Sequence, residues 1–423
     1  MAGSPDHLGI ELSLDQCIKC NICTASCPVS NVTDLFPGPK YAGPQAGRFR
    51  IQGAPSPDGS VDYCSGCRVC NMVCPTGVKI AELNARARAE WVRQGNLAPR
   101  LRLRNNILAR PELFGRLAGP FAPLVNRFTT FTPARRLAAA ILGIHQDAPF
   151  PALARQTFTR WHQDHPRPAQ ARRQVVYFHG CSAQYFEPQV GRAVVGVLEA
   201  NGLEVVVPPQ NCCGLPLLSN GEFAAARKLH EKNIHHLYPY ASKGLPILGA
   251  STSCTLTLKE EALELLGLHD EKNLLVAGHI FDINEFLLSL HHSGELNLAL
   301  RPLPLSLPYH IPCQYRAHRL GQPGMELLAL IPGLTVFDSL AACCGIAGTY
   351  GFKTEKFAIA QSVGKPLFDF VSNLNPPFVL CDSETCRWQI TRMTGKPAFH
   401  PIELFAAAYG LNTDPHLARL LPA

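Results

Sequence analysis

The sequence holds no uninterrupted apolar run of the ~18 residues that a membrane-spanning helix needs. Its first residues, MAGSPDHLGIELSLDQ, carry neither a basic start nor a continuous apolar stretch, so no export signal is expected. Charged residues make up only 17% of the 423, against 46% hydrophobic, which excludes a disordered chain and supplies cores for two or three domains. A glycine-rich nucleotide fingerprint, a phosphate loop and a serine-nucleophile elbow are all missing. Flavin or nicotinamide chemistry would have to come from another chain.

Cysteine is what the sequence does have, 17 times. The chain is too long, and its cysteines too dispersed, for a disulfide-stapled secreted scaffold. In a reducing compartment these thiols are expected as metal ligands. Eight lie between 17 and 74, none between 75 and 180, and nine between 181 and 386.

The first eight form two copies of one motif. Residues 17–28 read CIKCNICTASCP and residues 64–75 read CSGCRVCNMVCP, each a C-x2-C-x2-C-x3-C-P run. That is the run of a bacterial two-cluster ferredoxin, in which the fourth cysteine of each motif ligates the other cluster. The expected sets are Cys17, Cys20, Cys23 and Cys74 on one [4Fe–4S] cluster, and Cys64, Cys67, Cys70 and Cys27 on the second. A pair of zinc sites is the competing reading, but zinc has no use for this crossed spacing.

Beyond residue 174 the chain repeats itself. Cys181, Cys212, Cys213 and Cys254 recur as Cys313, Cys343, Cys344 and Cys386, at offsets of 131 or 132 residues. A period that long indicates two domains and not a solenoid. Short apolar runs at 174–179, 203–207, 245–249, 305–310, 334–337 and 378–381 read as buried strands. Helical stretches at 190–201, 222–238, 324–331 and 355–373 lie between them. Strand, helix, strand predicts a small parallel sheet in each repeat, with the cysteines at the carboxyl ends of the strands. Adjacent cysteines disfavour a mutual disulfide, yet both can bind neighbouring irons, and the following glycine is expected to let the backbone approach a cluster. Buried free thiols or a thiol-lined redox pocket are the alternatives. Each repeat ends in Ser-x-x-Cys, at Ser251 and Ser383, and serine is a poor iron ligand. Cys381 stands two residues before Ser383 as a substitute ligand reached by a local backbone shift. His179 and His310 precede the first cysteine of each repeat and are expected at matching positions, bonded to a backbone carbonyl or relaying protons. His279 and His400, each three residues before an acid (Asp282, Glu403), read as helix caps.

Between the two cysteine regions, Arg86 to Arg173 holds sixteen arginines, no lysine and four acids, a balance of +12 against +7 for the whole chain. Short broken amphipathic helices are expected here, as a solvated collar, a contact with an anionic membrane surface, or a contact with an acidic partner subunit. No nucleic-acid motif accompanies the charge.

Residues 15–85 and 174–410 resemble the iron–sulfur subunit family of anaerobic glycerol-3-phosphate dehydrogenases. The resemblance is carried by CIKCNICTASCPVSNV at 17–32, PGPKYAGP at 37–44, FAPLVN at 121–126, FHGC at 178–181, CCGIAGTYGFK at 343–353 and ETCRWQI at 384–390. The iron–sulfur subunits of glycolate and lactate oxidases and a subunit of heterodisulfide reductase belong to the wider group. The resemblance implies an electron-transfer subunit and not the catalytic dehydrogenase. It would pass electrons from a flavoprotein partner to membrane quinone, as a peripheral protein on the cytoplasmic face of the inner membrane. The alternatives are the corresponding subunit of a glycolate or lactate oxidase, or a heterodisulfide-reductase-like enzyme. The expected fold class is α+β: a helical two-cluster ferredoxin-like domain (1–95), a basic helical linker (96–173) and two duplicated α/β cysteine-rich domains (174–300 and 301–423). One or two further iron–sulfur clusters are expected in those repeats.

Overall fold

The computed structural model describes residues 8–167, 173–411 and 414–422. The first seven residues of the amino-terminal segment and Arg172 of the basic stretch lie outside the described residues. Each repeat builds a four-stranded parallel sheet. In the first, β1 (Arg173–Phe178), β2 (Leu203–Val206), β3 (Ile247–Gly249) and β4 (Ile280–Asp282) run in the order β2-β1-β3-β4. In the second, β5 (Ser306–His310), β6 (Thr335–Asp338), β7 (Val379–Cys381) and β8 (Ala398–Phe399) run in the order β6-β5-β7-β8. The duplication in the sequence is thus a duplication of topology. The last four residues of β1 and of β5 are buried, as expected for central strands covered on both faces.

Six strands and three long helices lie where the apolar pattern puts them, and the helix expected at 324–331 is the shorter Pro323–Leu328. The fourth strand of each sheet was not visible in that pattern. Three residues at Ile280–Asp282 and two at Ala398–Phe399 are too few to show a period, and they pair only because the neighbouring strand offers an open edge. Each leads straight into a capped helix. Asp282 caps Ile283–His292 in a capping box with Glu285, and His400 caps Pro401–Ala408 with Glu403. The His400 reading therefore holds. The His279 reading shifts by three residues: His279 follows the end of the preceding helix, with Nδ1 bonded to the Leu275 carbonyl, and Asp282 is itself the cap. The two repeats share one continuous core that includes Val175, Tyr177, Phe286, Leu307, Tyr309 and Phe405.

The linker is a series of short helices, among them Pro99–Leu108, Pro111–Ala118, Ala122–Thr130 and Thr132–Leu142, each with a proline in its first turn. A missing N–H costs nothing there and is costly one turn later, so the prolines both start the helices and break up the segment. Its inner side is tied to both repeats. Buried Arg104 grips Glu355 bidentately at 2.7 and 2.8 Å, and Arg110 reaches Glu222 at 2.6 Å. Gly115 lies so close to the Tyr185 ring that a β-carbon would sit 2.4 Å from it. The outer side is apolar: half of the exposed large hydrophobic side chains among the described residues fall between Leu103 and Phe150, including Leu117, Phe121, Leu124, Phe128 and Phe131. No described helix is long and apolar enough to cross a membrane.

Candidate iron–sulfur centres

The two amino-terminal motifs fold into matching loops. In the first, Lys19 and Asn21 have φ of 61° and 75°; in the second, Gly66 and Arg68 have 71° and 63°. Left-handed residues around the second cysteine curl the chain so that three successive sulfurs face one centre. For the three non-glycine residues this costs roughly 1–2 kcal/mol each. A small cavity is lined by Cys17, Cys20, Cys23 and Cys74, so the last cysteine of the second motif joins the first three of the first. Cys27, Cys64, Cys67 and Cys70 form the complementary group, close enough for each charge to oppose the next. Burial pushes the thiols of Cys23, Cys27, Cys67 and Cys70 above their ordinary range, and neighbouring sulfurs add to it. At Cys74 burial acts upward too, but hydrogen bonds from Thr76, Val78 and Gly77 prevail and lower it. Eight soft donors, in two sets of four and without a competing hard ligand, fit iron–sulfur groups.

In the repeats the cysteines gather at the carboxyl ends of the strands. Cys181 and Cys254 lie in the first turns of the helices Gly180–Tyr185 and Thr252–Leu256, and Cys212 and Cys213 lie in the loop after β2. Cys181 Sγ stands 3.7 Å from Cys212 Sγ, and hydrogen bonds from Cys181 and Cys213 hold the Cys212 thiol well below its ordinary value. In the second repeat Cys313 and Cys386 sit at helix starts and Cys343 and Cys344 in a loop. Cys344 and Cys386 sulfurs are 2.9 Å apart. Hydrogen bonds from Cys344 and Cys381 lower Cys386 well below its ordinary value. Cys381 is the buried last residue of β7 and reaches Cys386 without any backbone shift.

The structure adds to the sequence reading at three points. Both serines occupy helix N-cap positions, but only Ser251 caps with its side chain: its Oγ accepts from the Cys254 N–H at 3.4 Å and donates to Glu384 at 3.2 Å, whereas Ser383 Oγ lies 3.4 Å from Thr385 Oγ1. The Cys-Cys-Gly glycines, Gly214 and Gly345, also sit against the helices packed behind them, closely so at Gly345. Both are left-handed, and a β-carbon on Gly345 would sit 1.9 Å from the Ala360 carbonyl. The histidines are not equivalent. Phe178 pairs with Gly249 across the first sheet, whereas His310 pairs with Cys381 across the second. His179 comes one residue later than the match requires, with Nδ1 2.7 Å from the Gly180 carbonyl and burial lowering its pKa to about 4.

The arrangement has one centre. A cavity of about 140 Å³ is lined by Cys64 and Cys67, by the four cysteines of the first repeat, and by Cys313, Cys343, Cys344 and Cys386. Cys67 lies near enough to Cys343 and Cys313 for their charges to oppose one another. The ferredoxin-like loop carrying it is pinned by buried Arg68, which bridges Glu82 at 2.5 Å and Glu260 at 2.6 Å. Arg68 carries no sequence signal for this role, being the variable residue inside a motif. Glu112 of the linker was missed for a similar reason. Its carboxylate accepts the Cys212 N–H at 2.7 Å from a hundred residues away.

A two-cluster module set against paired cysteine-rich sheets defines a class of iron–sulfur protein. A 4Fe-4S dicluster domain model matches residues 13–78, and a cysteine-rich domain model matches 175–259 and 307–391. The chain is 39% identical over 403 residues to a protein of Escherichia coli K12 that is named as a subunit of anaerobic glycerol-3-phosphate dehydrogenase, covering 94% of this chain and 99% of that one. It belongs to that family of dehydrogenase subunits. A Methanosarcina barkeri protein, named as a subunit of dihydromethanophenazine:CoB–CoM heterodisulfide reductase, is 23% identical over 95% of this chain and 96% of its own. A lactate utilization protein of Halalkalibacterium halodurans is 27% identical over 43% of this chain and 73% of its own.

Proposed function

We propose that this chain is the electron-transfer subunit of a glycerol-3-phosphate dehydrogenase, receiving electrons from a flavoprotein partner and delivering them to quinone at the cytoplasmic face of the inner membrane. Residues 1–95 form the two-site module, 96–173 the membrane-facing linker, and 174–300 and 301–423 the cysteine-rich repeats. Iron–sulfur groups held by these thiols supply one-electron oxidation and reduction. The chain's own residues do the positioning. Cys17, Cys20, Cys23 and Cys74 form the outer site, and Cys27, Cys64, Cys67 and Cys70 the inner one. Cys313, Cys343, Cys344 and Cys386 of the second repeat and Cys181, Cys212, Cys213 and Cys254 of the first share a cavity with Cys64 and Cys67 of the inner site, and Cys381 stands behind Cys386. The observation that carries this reading is the single cavity on which the inner site and both repeats converge.

The test is anaerobic co-purification of the full chain with a flavoprotein partner, then quinone reduction with glycerol 3-phosphate, glycolate and lactate in turn. Glycerol 3-phosphate is expected to be the efficient donor; preference for glycolate or lactate would move the chain to an oxidase of that substrate. Disulfide reduction by the isolated chain would favour the heterodisulfide reading, which serine in place of the penultimate cysteine at Ser251 and Ser383 opposes. In the same preparation, Cys74→Ser should abolish the outer site's EPR signal and about half of the module's iron. The inner site should survive, although Cys74 belongs to the second motif.

A further inference from the structure

We propose that His310 is a metal ligand, so that the second repeat binds its iron–sulfur group through a mixed nitrogen and sulfur donor set while the first uses thiolates alone. This rests on the reading above that the repeats hold iron–sulfur groups.

The sheets place different chemistry at equivalent points. At the carboxyl end of the central strand pair, the first repeat presents Phe178 beside Gly249, and the second presents His310 beside Cys381. Two substitutions of an inert side chain by a metal-binding one, directly opposite each other, distinguish the repeats. His310 is fully buried, and a ring nitrogen lies with the sulfurs of Cys344 and Cys386 in a group whose members are all within 4.8 Å of one another. The imidazole is also oriented as a ligand would be. Nδ1 is 3.1 Å from Ser339 Oγ, which holds the ring, and Nε2 is buried with no hydrogen bond of good geometry, while the imidazole abuts the Cys386 thiol. A ligating histidine usually bonds its second nitrogen in this way. An imidazole nitrogen left unpaired in the core is unfavourable, and a bond to metal would satisfy it. His179 also has its Nδ1 engaged, by the adjacent Gly180 carbonyl, but among the described residues it belongs to no such group with the sulfurs of the first repeat.

A neutral nitrogen donor adds no negative charge, and in Rieske centres histidine ligation raises the reduction potential. The second repeat, which faces Cys67, is thereby made the better electron acceptor of the two.

The test uses the full chain purified anaerobically, with histidine labelled by ¹⁵N and the reduced sample measured by pulsed EPR. A strongly coupled histidine nitrogen is expected, changing with the isotope. It should vanish in His310→Phe, which installs the first repeat's residue, while both ferredoxin-type signals persist. His310→Cys should keep the iron and titrate at a lower potential. Since the wild-type isotope experiment needs no variant, misfolding of either mutant does not rescue the idea. Iron that depends on Cys344 and Cys386 but shows no coupled nitrogen would overturn the ligation by His310 alone. Iron content unchanged by Cys344→Ser and Cys386→Ser would overturn it together with the reading of the repeats.

Discussion

Lys356 and His230 show what single buried groups contribute. The Lys356 ammonium is 1% exposed and lies 2.5 Å from Asp62 Oδ2 and 2.6 Å from the Asp62 carbonyl, joining the second repeat to the amino-terminal module. Lys356→Met takes the nearest cation from the half-buried Asp62 carboxylate, which keeps Arg88 at 3.9 Å, and should cost about 1.5–3 kcal/mol. Lys356→Met combined with Asp62→Asn should recover much of that in anaerobic denaturant titrations. His230 is buried with Nε2 2.9 Å from Asn273 Oδ1 and with Nδ1 unpartnered. Burial lowers its pKa to about 4, so the imidazole is neutral in the folded chain. Between the unfolded value near 6.5 and about 4 the unfolded chain binds the extra proton. Stability is therefore intact above pH ~6.5 and falls as the pH drops through that window, by up to roughly 3 kcal/mol. His230→Gln should reduce the slope of unfolding free energy against pH over the same range by one proton's share, leaving that of His179 and His318. Neither residue stood out in the sequence, because a lone lysine or histidine acquires its partner only when distant segments meet.

At the scale of elements, the two Cys-Cys-Gly turns look alike in sequence and differ in consequence. Gly345→Ala forces a β-carbon into the Ala360 carbonyl as well as a left-handed backbone. Gly214→Ala meets only ordinary contacts, the nearest at 3.5 Å, and carries the backbone penalty alone. The expected cost is about 1–2 kcal/mol for Gly214→Ala and clearly more for Gly345→Ala, read from urea midpoints. Motif spacing was enough to group the ferredoxin cysteines, because the ligands of each loop are close in sequence and the crossing follows from the spacing. Strand positions were legible from apolar runs flanked by turn residues. Register was not. Pairing of His310 with Cys381 is set by how β5 and β7 slide past each other, and the two histidines were matched although they stand two and three residues before Cys181 and Cys313. The helix behind each Cys-Cys-Gly glycine was likewise not legible, because it meets the turn only when the chain is folded.

Across the whole molecule, the linker's positive charge divides into two uses. Arg104 and Arg110 clamp the repeats, and Arg135 is occupied by the carbonyls of Gln146, Thr129 and Ala148. Arg102, Arg116, Arg127 and Arg136 are exposed or half-buried among the apolar side chains. Between residues 97 and 146 the sole carboxylate is Glu112, which accepts the Cys212 N–H. An apolar face rimmed by arginines and free of outward acids suits an anionic lipid interface. Liposome flotation should recover the chain with anionic vesicles and much less with neutral ones. Phe128→Asp with Phe131→Asp, or Arg127→Gln with Arg136→Gln, should each reduce recovery several-fold. Equal behaviour on both lipids would assign the face to a protein partner. Composition revealed the charge excess, but only the folded chain separates arginines that brace from those that face outward.

The clamps around the amino-terminal module bear on speed as well as stability. Arg68 and Lys79 fasten it to Glu260 and Glu264 of the first repeat, and Lys356 of the second holds Asp62. Many redox proteins carry a mobile head that shuttles between docking stations, so their throughput tracks solvent viscosity. Here such a swing would require several of these pairs to part on every cycle. The relay is soldered in place, and the length of each hop is fixed once, when the chain folds.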